Sequence, residues 1–234
     1  WSTVELRKVE SYDQDRQVVA YVRHRDQDGY GVRMRWWLVQ RGDQWRAFDF
    51  EEVEMGLRMT VSIAAAMTGA NLKTGQMPPW VHASTQLQQL PVLIEAGQLD
   101  TAESILDQIQ AHTLPVEFDS VAHYWRVTIA LYREDMDQAE SAAAALRRVN
   151  QAHPMLPFID ALVHNGRGRW EQAAASAQLY IDQLGDDGAG YLQLGIALEQ
   201  LGRRAEAIEA LERGLKDSPE MVELVAGLAS ALPE

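Results

Sequence analysis

One short pattern recurs four times along the last three-fifths of the chain, and it limits the fold more than any other feature. Each copy is a short turn that leads into an alanine, and three of the four turns begin with glycine. The alanines are Ala102, Ala139, Ala173 and Ala207. Their separations are 37, 34 and 34 residues (139 − 102, 173 − 139 and 207 − 173). A nearly constant period of this length is typical of stacked helix–turn–helix units. Residues 82–221 are therefore predicted to form four such repeats.

The last copy, residues 188–221, preserves the pattern best. It carries an aromatic residue, a Leu-Gly pair, a leucine, an alanine, a second leucine and a proline: Tyr191, Leu194-Gly195, Leu198, Ala207, Leu211 and Pro219. This order resembles the tetratricopeptide repeat, a family of 34-residue helix–turn–helix units. The resemblance implies an α-solenoid that serves as a scaffold for protein–protein interaction. Gly195 and Ala207 are small enough for close helix packing, and Gly202 suits the left-handed residue that ends a helix.

Residues 219–232 are predicted to form a capping helix after the last repeat. Ser218 suits an N-cap, and Pro219 and Glu220 suit the first helical turn. Such a helix covers the apolar face that the final repeat of an array leaves open. The first helices of the second and third repeats fit the pattern less well, with Pro157 where a large apolar residue is usual. The sequence therefore does not fix how the residues of these two helices align with the repeat pattern.

Residues 1–50 alternate apolar and polar positions with a period of two, which is typical of strands with one buried face. Four strands are predicted, over residues 4–9, 17–25, 32–40 and 45–50. Short polar turns connect them, so an antiparallel meander is expected. A helix is predicted to follow at residues 51–67, with Val53 and Leu57 on its apolar face.

The meander ends in the segment RWWLVQRGDQWRAFDFEEVEMGLR, residues 35–58. Its pattern resembles the C-terminal half of an NTF2-like cone fold, over residues 4–58, which implies long curved strands around a helix-lined pocket. The alternative is a small sheet that packs directly on the helices. The predicted fold class is α+β, a four-stranded antiparallel meander followed by an all-α solenoid. The predicted domains are the sheet with its helix (1–68), a linker rich in glycine and proline (69–79) and the helical array (80–234).

Charge separates the two halves of the chain. Residues 1–50 carry 9 basic and 8 acidic side chains and residues 51–234 carry 12 and 26, so net charges of +1 and −14 sum to −13. An acidic array repels phosphate backbones, so nucleic acid is not expected as a partner. The sheet carries a modest basic set that is expected to keep its charged heads in water. Its members are Arg23, Arg25, Arg33, Arg35, Arg41 and Arg46.

The chain lacks cysteine, which excludes disulfides, thiolate metal sites and a cysteine nucleophile. No apolar run reaches the roughly 18–20 residues that a membrane span needs, so this chain is not expected to insert into a membrane. The first residue is Trp1 rather than methionine, so a preceding segment is expected. The compartment stays open: a cytoplasmic protein is favoured, and an exported or tethered protein is the alternative if that segment is a signal or an anchor.

No motif for catalysis, for a cofactor or for a metal stands out. The histidines lack the spacing of paired metal ligands, and the chain has no glycine pattern for phosphate or dinucleotide binding. Asp49 is the candidate for an acid inside the sheet if the NTF2-like resemblance extends to an enzyme or a small-ligand site. A turn residue at the end of a strand is the competing interpretation. The sequence therefore predicts a protein that is not an enzyme and that has no cofactor.

The tetratricopeptide resemblance implies that the first helix of each repeat lines an inner groove. The fifth and ninth positions of the repeats hold Leu87, Pro91, Tyr124, Thr128, Phe158, Leu162, Leu192 and Ile196. The Lys and Asn with which some family members hold a peptide carboxylate are missing from these positions. The groove is instead apolar, which suits an amphipathic helix of a partner. We predict Leu192, Ile196, Tyr124 and Phe158 as partner-binding residues.

The sequence leaves three functions open. The first is a non-catalytic scaffold that binds another protein or peptide in the groove. The second is a structural module whose groove is filled by the chain's own sheet or by a second copy, which would make a homo-oligomer. It is considered because an open apolar strip of this length is a liability in a monomer. The third is an enzyme or a small-ligand binder with its site in the sheet.

Overall fold

The computed structural model has a sheet followed by an array of helices. It describes residues 3–25, 31–69, 83, 85–110 and 116–231. The strands are β1 (Thr3–Tyr12), β2 (Gln17–Arg25), β3 (Gly31–Arg41), β4 (Gln44–Glu52) and β5 (Leu57–Arg58). Each strand pairs antiparallel with the next one along the chain, in the order β1-β2-β3-β4-β5. The predicted meander is confirmed, with one short strand added.

Alternation along the strands gives the sheet two unlike faces. On β2, Val19 and Tyr21 are buried, and both belong to a cluster made mostly of array residues. On the opposite face, Trp36 of β3 stands across from Phe50 of β4, and their rings stack with centroids 4.9 Å apart. Cross-strand aromatic pairs of this kind stabilise a sheet, and the alternation of faces fixes its register.

The helix predicted over residues 51–67 begins later, because α1 is Met59–Gly69. Residues 51 and 52 instead extend β4, where Glu51 pairs with Arg58 of β5. Gly56, with φ of +59°, turns the chain between these two strands. The prediction was wrong at its start because Val53, which is 2% exposed, is buried against the array and not on a helical face.

The described part of the array consists of short helices joined by tight turns. They are α2 (Leu90–Glu95), α3 (Leu99–Gln110), α4 (Val116–Tyr132), α5 (Met136–Val149), α6 (Leu156–Gly166), α7 (Trp170–Leu184), α8 (Gly188–Gln200), α9 (Arg204–Asp217) and α10 (Val222–Ala231). Helices α2, α4, α6 and α8 are the first helices of the four repeats, and α3, α5, α7 and α9 are the second helices. The predicted fold class, a sheet followed by a helical solenoid, is confirmed.

The 34-residue period is visible in the backbone of the turns. Gly97, Gly168 and Gly202 have φ of +70°, +67° and +74°, and Glu134 has φ of +58° at the equivalent place in the second repeat. After each of these residues, the next N–H donates to the carbonyl five residues back, at 2.8 to 3.0 Å. Three of the four turns use glycine because glycine adopts a left-handed φ without steric cost.

Buried residues, most of them glycine or alanine, lie where the helices of each repeat meet. The four repeat alanines are all 0% exposed. The position of Gly195 falls on Ala161 and then on Val127 in the two preceding repeats, at steps of 34 residues (195 − 161 and 161 − 127), and all three are buried. The frame set by the turns therefore also holds for the first helices of the second and third repeats.

The capping helix α10 begins at Val222, three residues later than predicted. Ser218 closes α9 instead of opening the next helix, because its N–H donates to the Gly214 carbonyl at 2.8 Å. Leu224 of α10 is 0% exposed and packs on the last repeat. The cap therefore covers the end of the array as expected, although its start was wrong.

Sheet and array share one buried cluster. Val19, Tyr21 and Val53 lie in it together with Met155 and Tyr180 of the array. This arrangement matches the alternative of a sheet that packs directly on the helices. The domain boundary predicted at residues 69–79 lies outside the described residues beyond Gly69.

Gly195 gives a direct test of the helix packing. A Cβ at this position would lie 2.6 Å from two side-chain carbons of Leu211, whereas a Cβ at Gly227 of α10 would lie 3.2 Å from the same side chain. Overpacking opposes the gain in helix propensity that alanine brings. We expect Gly195→Ala to lower the free energy of unfolding by about 1–2 kcal/mol more than Gly227→Ala in urea titrations. Equal effects of the two substitutions would contradict close packing at Gly195.

Candidate functional site

Arginines of the sheet enter the turns between repeats. Arg23 of β2 is 6% exposed, and it donates to Asp217 Oδ2 at 2.8 Å and to Asp187 Oδ2 at 3.0 Å. Arg33 of β3 donates to the same Asp187 oxygen at 3.1 Å and also contacts the Tyr180 hydroxyl. The sheet is thereby tied to both ends of the last repeat. We call these five residues the arginine–aspartate cluster.

The C-terminal ends of two helices supply further acceptors. Arg7 of β1 donates to the carbonyl of Asp186, just after α7, at 2.6 Å. Arg25 of β2 donates to the carbonyl of Asp217, at the end of α9, at 3.1 Å. The last carbonyls of a helix lack intrahelical partners and carry partial negative charge, so cations are favoured there. The sheet therefore satisfies groups that the repeats themselves leave unpaired.

Asp187 serves the sheet and the repeat together. Its Oδ1 accepts hydrogen bonds from the N–H groups of Ala189 and Gly190, at 3.1 and 3.2 Å, which caps the start of α8. Its Oδ2 accepts from the two arginines. Burial raises the pKa of this carboxyl, but Arg33 and Arg23 outweigh burial and hold the pKa below its usual value. Asp187 is therefore charged at neutral pH although it is buried.

The prediction that the basic set keeps its heads in water is wrong for four members. Those that form ion pairs beside the array or within the sheet are Arg23, Arg25, Arg33 and Arg35. Arg41 and Arg46 are exposed as expected. The sequence signal for the ion pairs was the acidic composition of the turns between repeats, at residues 186–187 and 217–220.

Two of the predicted partner-binding residues pack beside the sheet. Tyr124 and Phe158 are half-buried against the cluster that sheet and array share. The Tyr124 ring stacks on His153 with centroids 5.5 Å apart, and the Phe158 ring lies 4.9 Å from that of Tyr180. This end of the predicted groove is therefore partly filled by the chain itself.

The other two predicted residues lie on α8. Leu192 packs into the cluster that the last repeat forms with α10. Ile196 is partly exposed, as are Leu162 and Thr128 at the same position of the two preceding repeats, at steps of 34 residues (196 − 162 and 162 − 128). We call these three residues the ninth-position row. The four predicted residues therefore have three different surroundings. Tyr124 and Phe158 pack beside the cluster that includes the sheet, Leu192 packs beside the capping helix, and Ile196 is partly exposed.

Helices α8 to α10 carry the features of the family that the sequence resembles. A profile of the tetratricopeptide repeat matches residues 188–231, which span the α8–α9 hairpin and the capping helix. The chain contains a tetratricopeptide repeat. The resemblance predicted from residues 188–221 is confirmed, whereas the NTF2-like resemblance of the sheet stays a prediction.

One solved structure is similar to part of this chain. It is the NMR structure of the second tetratricopeptide domain of human RPAP3 in complex with the HSP70 peptide SGPTIEEVD. The two chains are 18% identical, and the alignment covers 51% of this chain and 100% of that domain, with a TM-score of 0.46. A comparison with curated proteins found no significant match.

Asp49, the candidate acid of the sheet, is held in place by the helix that follows. Its carboxylate accepts from the Thr60 N–H at 3.1 Å and from the Thr60 hydroxyl at 2.7 Å, at the start of α1. Asp49 is 5% exposed, so these bonds give a buried carboxyl group its hydrogen-bond partners and favour the structural interpretation. Within the described residues, no group of three or more His, Asp and Glu side chains is arranged to hold a metal ion. No helix in the same part of the chain is long and apolar enough to cross a membrane.

His153, in the turn before α6, is buried in its neutral form. Its exposed fraction is 2%, and its Nδ1 accepts a hydrogen bond from the Met155 N–H at 3.3 Å. Burial lowers the pKa of His153 to about 4. A proton on Nδ1 would also meet the Met155 N–H, so the neutral imidazole fits this place.

The buried charges of the arginine–aspartate cluster predict a large effect of removing one cation. Arg23→Met keeps most of the volume but leaves the Asp217 and Asp187 carboxylates short of a partner. Asp187 keeps Arg33 and Asp217 keeps Arg7, so each buried carboxylate loses one of its two arginine partners. We expect the substitution to lower the free energy of unfolding by about 3 kcal/mol, because losing a partner of a buried charge is costly. The control is Arg203→Met, which breaks the exposed pair with Glu206 and should leave stability nearly unchanged. Equal urea midpoints for both variants would contradict the importance of the cluster.

The low pKa of His153 predicts a loss of stability in mild acid. The unfolded chain takes up a proton near pH 6.5 but the folded chain only near pH 4. The free energy of unfolding should therefore fall as the pH drops through this window, by about 2–3 kcal/mol. His153→Gln removes the titrating group, so its stability should depend less on pH between these values. Parallel stability curves for the wild type and the variant would contradict a buried neutral histidine.

Proposed function

We propose that this tetratricopeptide protein is a non-catalytic scaffold that binds a segment of another protein along the first helices of its repeats. The observation that carries the proposal is the ninth-position row. Thr128, Leu162 and Ile196 recur at the repeat period, carry no charge and remain partly exposed. A regular row of uncharged side chains on parallel helices offers a continuous surface to an extended or helical ligand.

The chemistry of this surface favours an amphipathic helix as the ligand. Apolar side chains at helical spacing would pack on Leu162 and Ile196. Residues 51–234, most of which form the array, have a net charge of −14 (12 − 26), so basic residues on the polar side of the ligand would be attracted to this part of the chain. The proposed partner is therefore a protein segment with one apolar face and one basic face.

A second candidate function rests on the covered end of the groove. Tyr124 and Phe158 pack against the buried cluster to which the sheet contributes Val19 and Tyr21. In this alternative the sheet fills the groove of its own array, and the protein is a structural module without a ligand there. The two candidates differ in whether the part of the row at Leu162 and Ile196 binds anything.

The test compares proteins captured from a lysate of the source organism by three baits. Ile196→Glu places a charge in the partly exposed row, and we expect it to lose a partner that the wild type retains, since burying an unpaired charge opposes binding. Leu179→Glu makes the same chemical change on the exposed side of α7, where the leucine is 47% exposed. This matched control should retain the partner.

Circular dichroism of each bait confirms that the fold is intact before capture. Loss of the same protein with both glutamate variants would show a general charge effect and would contradict groove binding. Identical captures with all three baits would favour the structural module.

A further inference from the structure

The face of the sheet that points away from the array is apolar. Val19, Tyr21 and Arg23 of β2 face the array, so the residues that alternate with them face the other way. The strand register aligns these outer residues into rows, in which Leu6, Val22 and Met34 form one row and Val9, Ala20 and Trp36 form the next. The outer face is thus a continuous apolar surface across three strands.

This outer face is open and lacks charge at its centre. Leu6 is 64% exposed, Val9 47% and Val4 64%. Among the outer positions of the described strands β1 to β4, the titratable side chains are His24 and Glu52, and both lie near strand ends. A sheet usually packs its apolar face on the core and exposes its charged face to water. In this protein the face that carries the arginines is the one that packs on the array. An exposed apolar patch of this extent marks an interaction surface.

The size of the outer face suits a second copy of the same chain. Phe50 of β4 lies beside Trp36 and extends the outer face to a fourth strand. Four strands about 4.8 Å apart and about nine residues long, at roughly 3.4 Å per residue, give a footprint of roughly 600 Å². Two such faces together bury roughly 1,200 Å², which reaches the lower limit of stable specific interfaces. Face-to-face packing of two sheets about 10 Å apart is a common way to bury apolar faces of this kind.

The distribution of charge supports the same occupant. The chain has a net charge of −13, so copies repel one another, but residues 1–50 contribute +1 (9 − 8). Packing through the outer faces brings the nearly neutral halves together and leaves the acidic arrays on opposite sides. The two arrays are then separated by both sheets, a distance of more than one Debye length, about 8 Å at physiological salt.

We propose that two copies of this chain associate through the outer faces of their sheets as a twofold-symmetric dimer. An apolar face without charged residues at its centre is self-complementary, as a twofold interface requires. This surface is distinct from the ninth-position row, so dimerisation leaves the proposed partner site free.

Sedimentation equilibrium over about 1–100 µM protein tests the proposal, since the population of a dimer depends on protein concentration. The wild type should reach twice its monomer mass of 26.3 kDa. Leu6→Glu/Val9→Glu puts two carboxylates into each outer face, and we expect the dimer dissociation constant to rise about 100-fold or more. Val92→Glu, at a residue of α2 that is 68% exposed, is the matched control and should remain a dimer. Ile196→Glu should also remain a dimer, which separates this interface from partner binding.

Three results would overturn the proposal. The first is a wild type that stays monomeric throughout the range, which would leave the outer face to a different partner. The second is a dimer that Leu6→Glu/Val9→Glu leaves unchanged. The third is a dimer that Ile196→Glu dissociates as much as the double variant does. If circular dichroism shows that the double variant is unfolded, Val4→Glu replaces it in the same measurement.

Discussion

Two carboxylates, Asp187 and Asp217, share the guanidinium of Arg23 in the buried contact between sheet and array. Asp187 is also the N-cap of α8, the first helix of the last repeat. One side chain therefore caps this helix and holds the sheet against it. A charge in such a place is tolerated only because hydrogen bonds reach it from both units. The position of the sheet, and hence the part of the groove that it covers, depends on this shared arrangement.

Sequence reasoning worked where structure is decided locally. The period of the array could be predicted because each turn needs a left-handed residue and each helix crossing a small one, and Gly168 and Gly202 mark such turns directly. It failed where burial comes from a distant segment. Val53 was predicted on a helical face, but it is buried against residues of the array that the local sequence does not reveal. In the same way, the Asp217 partner of Arg23 is 194 residues further along the chain. Tyr124, Phe158 and Leu192 share the fifth position of their repeats, yet they have different neighbours, because the first two pack beside the cluster that includes the sheet and Leu192 packs beside the capping helix.

The sheet and the array together present three regions with different chemistry. Its charged inner face binds the turns of the repeats, and the apolar cluster beside it covers Tyr124 and Phe158. The first helices further along keep Leu162 and Ile196 partly exposed, where the proposed protein ligand lies. Its outer face is apolar and directed away from the acidic array, where a second copy is proposed. A scaffold built in this way presents one ligand surface per chain and two per dimer.

A double-mutant cycle on Arg23 and Asp217 tests most directly whether sheet and last repeat form one unit. The two side chains are 7% and 6% exposed and are joined at 2.8 Å. The cycle compares the free energies of unfolding of the wild type, Arg23→Met, Asp217→Asn and the double variant. We predict a coupling energy of about 1.5–3 kcal/mol, as expected for a charged hydrogen bond away from water. A coupling energy near zero would contradict the account, because the buried ion pair would then contribute nothing to holding the sheet on the last repeat.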